Sequence, residues 1–288
     1  MNAQPSPTPP PSPCADSRDA QGGIRLVAVD LDGTLLNDSK KVTDETAAAL
    51  SCLPTRDVKL VIASARPPRA VRKIYHDLKL DTWQINYNGA LIWDEPGNRA
   101  VFHRPMSGRI TRAIIEHARD MFEEVIVTCE ILDKWYTDRD DQTHTTETGK
   151  MFGPDCVAPL ETFTTQPVTK LMLLGEPRII LRLEASIAEQ FSEQVSILKT
   201  DRDLLQIMDH RVSKALALAK IARHYGVSLT QVMAIGDAPN DVGMLQAAGV
   251  SIAMDNAHPL VKDVADWVAP SNNDHGVRAA LRRYGLCT

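Results

Sequence analysis

The feature that most restricts this chain is where its polar residues fall relative to its short apolar runs. Ile24–Val29 is apolar at nearly every position and stops at Asp30-Leu31-Asp32-Gly33-Thr34. Val58–Ala63 stops at Ser64-Ala65-Arg66-Pro67, Trp83–Tyr87 at Asn88-Gly89, and Val232–Ile235 at Gly236-Asp237. Short apolar runs without alternation read as strands buried on both faces of a parallel sheet. Between them Thr43–Leu53, with Thr43 or Asp44 as N-cap, and Pro68–Leu78 read as helices. Strand, helix, strand, helix, strand requires right-handed βαβ units, hence an α/β fold with a doubly wound, mostly parallel sheet. In such sheets the groups at the carboxyl ends of the strands converge on one crevice.

From about Leu91 to Met208 the pattern changes. Helices are expected at Ser107–Phe122 and Glu176–Phe191. Strands are expected at Val125–Cys129 and Lys170–Leu174 and near Val195–Leu198 and Leu204–Met208. The polar stretch Asp138–Gly153 carries no clear period, and Asp138–Thr148 is expected to face solvent. Alternation then resumes with helix Ser213–Tyr225, strand Val232–Ile235, helix Asn240–Ala248, strand Val250–Met254, helix Pro259–Val264, a short strand at Trp267–Val268 and a helix from His275. The expectation is a core of residues 23–90 and 209–288 interrupted by an inserted α+β domain, 91–208. Hinges are expected near Ala90–Trp93 and Met208–Val212.

Composition narrows the function. A chain of 288 residues is long enough for two moderate domains without a disulfide or structural metal. Its 37 acidic against 32 basic residues argue against nucleic acid as a partner and against a polybasic membrane contact. No apolar run approaches the ~18–20 residues needed to span a bilayer, and no secretory leader is evident. Cys14, Cys52, Cys129, Cys156 and Cys287 are scattered with no zinc-like spacing, as expected of reduced thiols in a cytoplasmic protein. Residues 1–22 alternate Pro5, Pro7, Pro9, Pro10, Pro11 and Pro13 with small polar residues. They lack the apolar groups to offset ordering and are expected to form a disordered, extended tail.

The chemistry sits at the strand ends. Asp30 and Asp32 are two apart, so at a strand end both can approach one site, and close carboxylates repel unless a cation or proton intervenes. An EF-hand loop fails, because Leu35 stands where its glycine must be and Lys41 where its last glutamate must be. Asp237 and Asp241, with Asn240 between, form a second acidic group, and Gly236 is expected to permit a sharp turn. A helix N-cap would explain one of these residues but not three. Ser64 precedes a helix and is either its cap or a phosphate ligand. Lys214 lies at a helix start, where the dipole disfavours a cation unless something negative stands nearby.

Taken together these positions resemble the haloacid dehalogenase-like hydrolase superfamily, and more closely its Cof-type phosphatases with an inserted C2-type cap. The resemblance rests on Val29-Asp30-Leu31-Asp32-Gly33-Thr34-Leu35-Leu36-Asn37, Ala63-Ser64-Ala65-Arg66-Pro67, Asn86-Tyr87-Asn88-Gly89-Ala90, Val212-Ser213-Lys214 and Gly236-Asp237-Ala238-Pro239-Asn240-Asp241-Val242-Gly243-Met244-Leu245. It spans nearly everything from Ile24 onward. Ala65, Ala215 and Arg211 stand where glycine is usual, and are expected to adjust loops without abolishing activity. The resemblance implies a Rossmann-like core and Asp30 as nucleophile, forming an aspartyl-phosphate. It implies Asp32 as general acid and base, and Mg²⁺ held by the Asp30 carboxylate, the Asp32 carbonyl, Asp237 and Asp241. Thr34, Ser64, Asn88, Gly89 and Asn240 would serve the phosphate or substrate, with Lys214 neutralising phosphoryl charge. A small phosphorylated metabolite, such as a sugar phosphate, would be the substrate. A phosphosugar mutase and a non-catalytic binding protein are the rival readings.

Overall fold

A computed structural model describes residues 23–139 and 146–288. The expected tail, 1–22, lies outside the described residues, as do residues 140–145 of the polar stretch. The core opens with β1 (Leu26–Val29), α1 (Asp44–Leu50), β2 (Lys59–Ile62), α2 (Pro68–Asp77) and β3 (Gln84–Asn86). A hairpin of β4 (Leu91–Asp94) and β5 (Arg99–His103) follows. The middle of the chain forms α3 (Gly108–Met121), β6 (Ile126–Ile131), β7 (Lys134–Thr137), α4 (Glu147–Met151), β8 (Cys156–Val157), β9 (Lys170–Leu174), α5 (Pro177–Phe191), β10 (Val195–Asp201) and β11 (Leu204–Asp209). The chain closes with α6 (Lys214–His224), β12 (Val232–Gly236), α7 (Val242–Ala247), β13 (Val250–Met254), α8 (Pro259–Lys262), β14 (Trp267–Ala269) and α9 (Gly276–Arg283).

β14, β13, β12, β1 and β2 form a wholly parallel sheet in that order. Every residue of β1 is fully buried, as its unbroken apolar run requires. β3 joins the edge through a parallel bridge from Ala63 to Ile85. The order of strands therefore reverses between β1 and β12, and that is where the crevice opens. α1 packs with α9, and α6 with α7. Thr43 is the N-cap of α1, its hydroxyl accepting from Thr46 N. The expected helix at Asn240–Ala248 begins instead with a 3-10 turn, Pro239–Asp241, before α7.

The second sheet runs β10, β11, β9, β6, β7, β8, antiparallel except for β7 with β8. Strand periodicity divides it. Val127, Cys129, Ile131, Leu171, Leu173, Leu205 and Ile207 join the core beneath α3 and α5. The alternate residues Thr128, Glu130, Lys170 and Met172 are buried on the other face. In the polar stretch, Asp138 is paired with Arg119 and Thr146 caps α4 by accepting from Gly149 N.

β4 and β5 differ from expectation. β4 pairs with β3 on one side and β5 on the other, and Ile92, Val101 and Phe102 pack in the core of the first sheet. Ala90–Trp93 is therefore held in or against a ladder. On this packing we propose that the cap begins after Arg104 rather than at residue 91, the linkers being the segments around Arg104–Met106 and Asp209–Ser213.

Candidate active site

β1 and β12 are neighbours in register, so the residues that follow them emerge side by side. One carboxylate oxygen from each of Asp30, Asp237 and Asp241 lies within 4.8 Å of the other two. Gly236 is needed for closeness and not for a turn. Its φ is not positive, but an added Cβ would fall 2.6 Å from the Cβ of Asp241. Gly33 does have a positive φ, +84°, and a Cβ there would meet the Asp237 carboxylate at 2.3 Å. The loop after β1 is tied down by Asn256 Nδ2, which donates to Gly33 O at 2.7 Å, and by Asn272 Nδ2, which donates to Leu36 O at 3.0 Å.

Lys214 answers the objection raised by its place at a helix start. Its side chain is wholly buried, and its ammonium donates to Asp30 Oδ1 at 2.6 Å and Asp241 Oδ1 at 2.7 Å. The other oxygen of Asp241 accepts from the backbone N–H of Asp237 and Ala238. Burial pushes the Asp30 carboxyl up to about 8; Lys214 opposes this, and the charges of Asp241 and Asp237 add to it. Burial likewise raises Asp237, to about 6, against the hydrogen bond from Thr34. Burial alone would lower Lys214, but Asp241 and Asp30 outweigh it and hold the ammonium above its usual range. Lys214 bonds Asp30 and Asp241 while Asp237 takes only the Thr34 hydroxyl, so three acids stand around a single ammonium. Hard oxygen donors so grouped suit a divalent cation such as Mg²⁺ or Ca²⁺, so the residues present fit a metal.

The other expected residues surround this group. Thr34 Oγ1 donates to Asp237 Oδ1 at 2.5 Å, so its hydroxyl orients a carboxylate. Ser64 is buried, and its hydroxyl accepts from Arg66 N at 3.1 Å, the geometry of a local cap. Asn88 has φ +56° and accepts from Asn240 Nδ2 at 2.8 Å, so Asn240 engages Asn88 across the crevice. Gly89, φ +100°, lets this turn press on the start of α6: a Cβ would lie 2.3 Å from Ser213 O.

Asp32 is placed differently from the other three acids. Its carboxylate is gripped by Arg66, Nε to Oδ2 at 2.7 Å and Nη2 to Oδ1 at 2.6 Å, and by Lys40 at 2.9 Å. Burial would raise it, but Arg66 and then Lys40 hold it below the usual carboxylate range. Neither cation carried a role in the sequence reading. Arg66 was within sight as the second residue after Ser64, whereas Lys40 lies in a turn with no motif.

A family model described as haloacid dehalogenase-like hydrolase matches residues 27–281. The chain belongs to that family. A Streptococcus pyogenes (serotype M6) protein whose name assigns it provisionally as a phosphatase is 30% identical over 273 residues, covering 91% of this chain and 99% of its own. The 5-amino-6-(5-phospho-D-ribitylamino)uracil phosphatase YcsE of Bacillus subtilis is 28% identical, over 91% of this chain and 96% of its own. Among solved structures, TM0651 from Thermotoga maritima superposes with a TM-score of 0.81 at 27% identity, over 90% of this chain and 97% of its own. This haloacid dehalogenase-like hydrolase is thus an enzyme whose relatives are named phosphatases. Its α/β core with a second α+β sheet agrees with the expected fold class. Among the described residues no helix is long and apolar enough to cross a membrane.

Proposed function

We propose that this protein is a Mg²⁺-dependent phosphatase for a small phosphorylated metabolite, a sugar or sugar-alcohol phosphate, acting through an aspartyl-phosphate. The observation that carries the reading is the set of three carboxylates, Asp30, Asp237 and Asp241, two of them paired with one buried lysine, at the point where the strand order reverses. The B. subtilis relative's named substrate, which carries its phosphate on a ribityl chain, supports the substrate class.

In this mechanism Asp30 attacks phosphorus and the substrate alcohol leaves. Asp30, Asp237 and Asp241 would hold Mg²⁺, which when bound supplies the positive charge that lets a phosphate dianion approach the acidic group. Lys214, fixed by Asp30 and Asp241, offers its charge to the transferring oxygens. Thr34 keeps Asp237 turned inward, and the Asn88–Asn240 pair closes one wall. Water then attacks the aspartyl-phosphate, releasing phosphate and restoring Asp30.

Asp32 would protonate the leaving alkoxide and take the proton from water. Arg66 and Lys40 hold it ionised, which opposes the first step. The role therefore requires the carboxylate to leave the Arg66 fork and turn toward the leaving oxygen when substrate fills the crevice. The test is phosphate release from a panel of phosphorylated metabolites with Mg²⁺, the Asp30→Asn protein serving as blank. Release from sugar phosphates by the wild type alone supports the reading; equal release by the variant removes Asp30 from the chemistry. Isomerisation of a hexose phosphate without phosphate release would make the protein a mutase.

A further inference from the structure

Behind Gly89 and Ser213 lies a second cavity, of about 330 Å³. Phe102 and Leu216 are the large apolar residues that line it, and Arg104, Arg211, Lys220 and Arg223 add cations. Arg104 and Lys220 approach the same ring, the guanidinium carbon at 5.5 Å and the ammonium at 4.6 Å from the Phe102 centroid. Arg211 is occupied by Asp209. Among the described residues Arg104, Lys220 and Arg223 have no acidic partner, Arg104 and Lys220 meeting only the Phe102 ring. The dipole of α6 favours Arg223, which lies in its last turn, but explains neither Lys220 in the middle of the helix nor Arg104 on another element. Leu216, one turn before Lys220, is 55% exposed.

Three cations without an acidic partner among the described residues, Lys220 and Arg223 exposed and Arg104 half-buried, gather beside Phe102 and Leu216 in a chain of net charge −5 and make a local positive patch. We propose that this cavity binds a small organic anion carrying two phosphoryl groups. Its volume is at the low end for ligand pockets and suits a small metabolite. The cations match the charge of a bisphosphate, and Phe102 and Leu216 face its carbon skeleton. The position gives the ligand leverage. Arg104 lies on the linker leaving the core, Arg211 on the linker returning, and Lys220 and Arg223 on the helix that begins with Lys214. A bound bisphosphate ties both linkers to the core and favours one placement of the cap. That regulatory consequence rests on the phosphatase reading; the binding does not.

The probe is fructose 1,6-bisphosphate, titrated by calorimetry into the full chain in Mg²⁺-free buffer on an Asp30→Asn background, with fructose 6-phosphate and inorganic phosphate as single-phosphoryl controls. Binding at sub-millimolar concentration is expected, weaker by at least tenfold for either control. The added pair Lys220→Glu and Arg223→Glu should weaken it at least tenfold, and the milder Lys220→Gln with Arg223→Gln several-fold, each variant checked for an unchanged melting curve. Absence of binding, or binding unaltered by both pairs, overturns the proposal, the latter placing the bisphosphate in the catalytic crevice. With Asp30 restored, the bisphosphate should change kcat for a monophosphate substrate, and the charge-reversed protein should lose that response. A protein that binds through Lys220 and Arg223 yet releases no phosphate from any substrate would sink the phosphatase reading and leave this site standing.

Discussion

Two charge clusters meet the turn Tyr87–Gly89, one buried in the crevice and one largely buried at the junction with Arg72 39% exposed, and they differ in balance. In the crevice Asp30, Asp237 and Asp241 face Lys214 alone. At the junction of core and cap, Arg69, Arg72 and Lys170 meet Glu130, Asp133 and Glu95, three against three. Arg69 donates to Glu130 at 2.7 Å, Arg72 to Glu95 at 2.6 Å and to Asp133 at 2.9 Å, and Tyr87 OH to Glu130 at 3.0 Å. Asp133 also accepts from Arg69 N, serving the start of α2, where Pro67 provides no side-chain cap. The junction balances its charges, although Arg69 Nε and Nη1 find no hydrogen-bond partner, and reads as a joint; the crevice is unbalanced and reads as a place for a cation and an anion from outside. Imbalance of buried charge, rather than burial, separates the working site from the structural one.

The largest effect should come from removing what the crevice lacks. Asp30→Asn should lower turnover by at least ~10⁴-fold, as loss of a covalent nucleophile does, with circular dichroism unchanged. Chelation should abolish phosphate release and Mg²⁺ restore it. Mg²⁺ at a hundred times its dissociation constant should raise wild-type stability by about 2.7 kcal/mol, read as a rise in Tm. Turnover surviving EDTA would break the contrast, because a crevice that works without a cation is not short of one.

The two clusters were also unequally legible. The crevice was visible because Asp30, Asp237 and Asp241 lie at or just past the ends of apolar strands, and short-range spacing dictates where a strand ends. Lys214 was visible through its conflict with the helix dipole. The junction was not visible. Glu130 and Lys170 pair across β6 and β9, forty residues apart, and charges inside such strands read as solvated until the register brings them together. Arg66 reaches back to Asp32 through loop geometry that no local pattern encodes. The β6–β7 turn gave no signal either, since Leu132 adopts φ +56° where glycine or asparagine is usual. The β4–β5 hairpin did carry one, Pro96-Gly97-Asn98, a turn between two runs that pair.

Glu130→Leu tests the joint. It should cost about 3–5 kcal/mol by leaving Arg69 buried with Asp133 at 3.6 Å as its remaining acid. Tyr87 keeps its bond to Leu132 O at 2.7 Å, so the damage falls on the arginine. Denaturant melts read this directly, and a loss below 1 kcal/mol would mean that the network is not held as a unit. Gly89→Ala should cost roughly 1–3 kcal/mol, since residue 89 has positive φ and a Cβ would strike Ser213 O. Because the displaced atoms lead into Lys214, kcat should fall more than the melt alone accounts for. A variant of normal kcat would detach that turn from the crevice.

The smallest effect concerns Lys170, which packs over the Tyr87 ring at 5.2 Å. Burial lowers its ammonium to about 8, with Glu130 opposing and Arg69 adding. An unfolded lysine titrates near 10.4, so between these values the unfolded chain binds the extra proton. Stability contributed by this group therefore rises as pH goes from about 8 to about 10, and below 8 the buried charge is a net cost. Lys170→Met removes that cost without orphaning Glu130, which keeps Arg69 and Tyr87. The variant should gain on the wild type by about 1–3 kcal/mol at pH 7, and the gain should shrink toward pH 10, as urea melts at the two values would show. A gain independent of pH would mean that Lys170 titrates alike in the folded and unfolded chains, so that packing and not its charge makes the difference. A loss at pH 7 would mean that the ammonium is a needed member of the balanced set, and the two clusters would then differ in charge count alone.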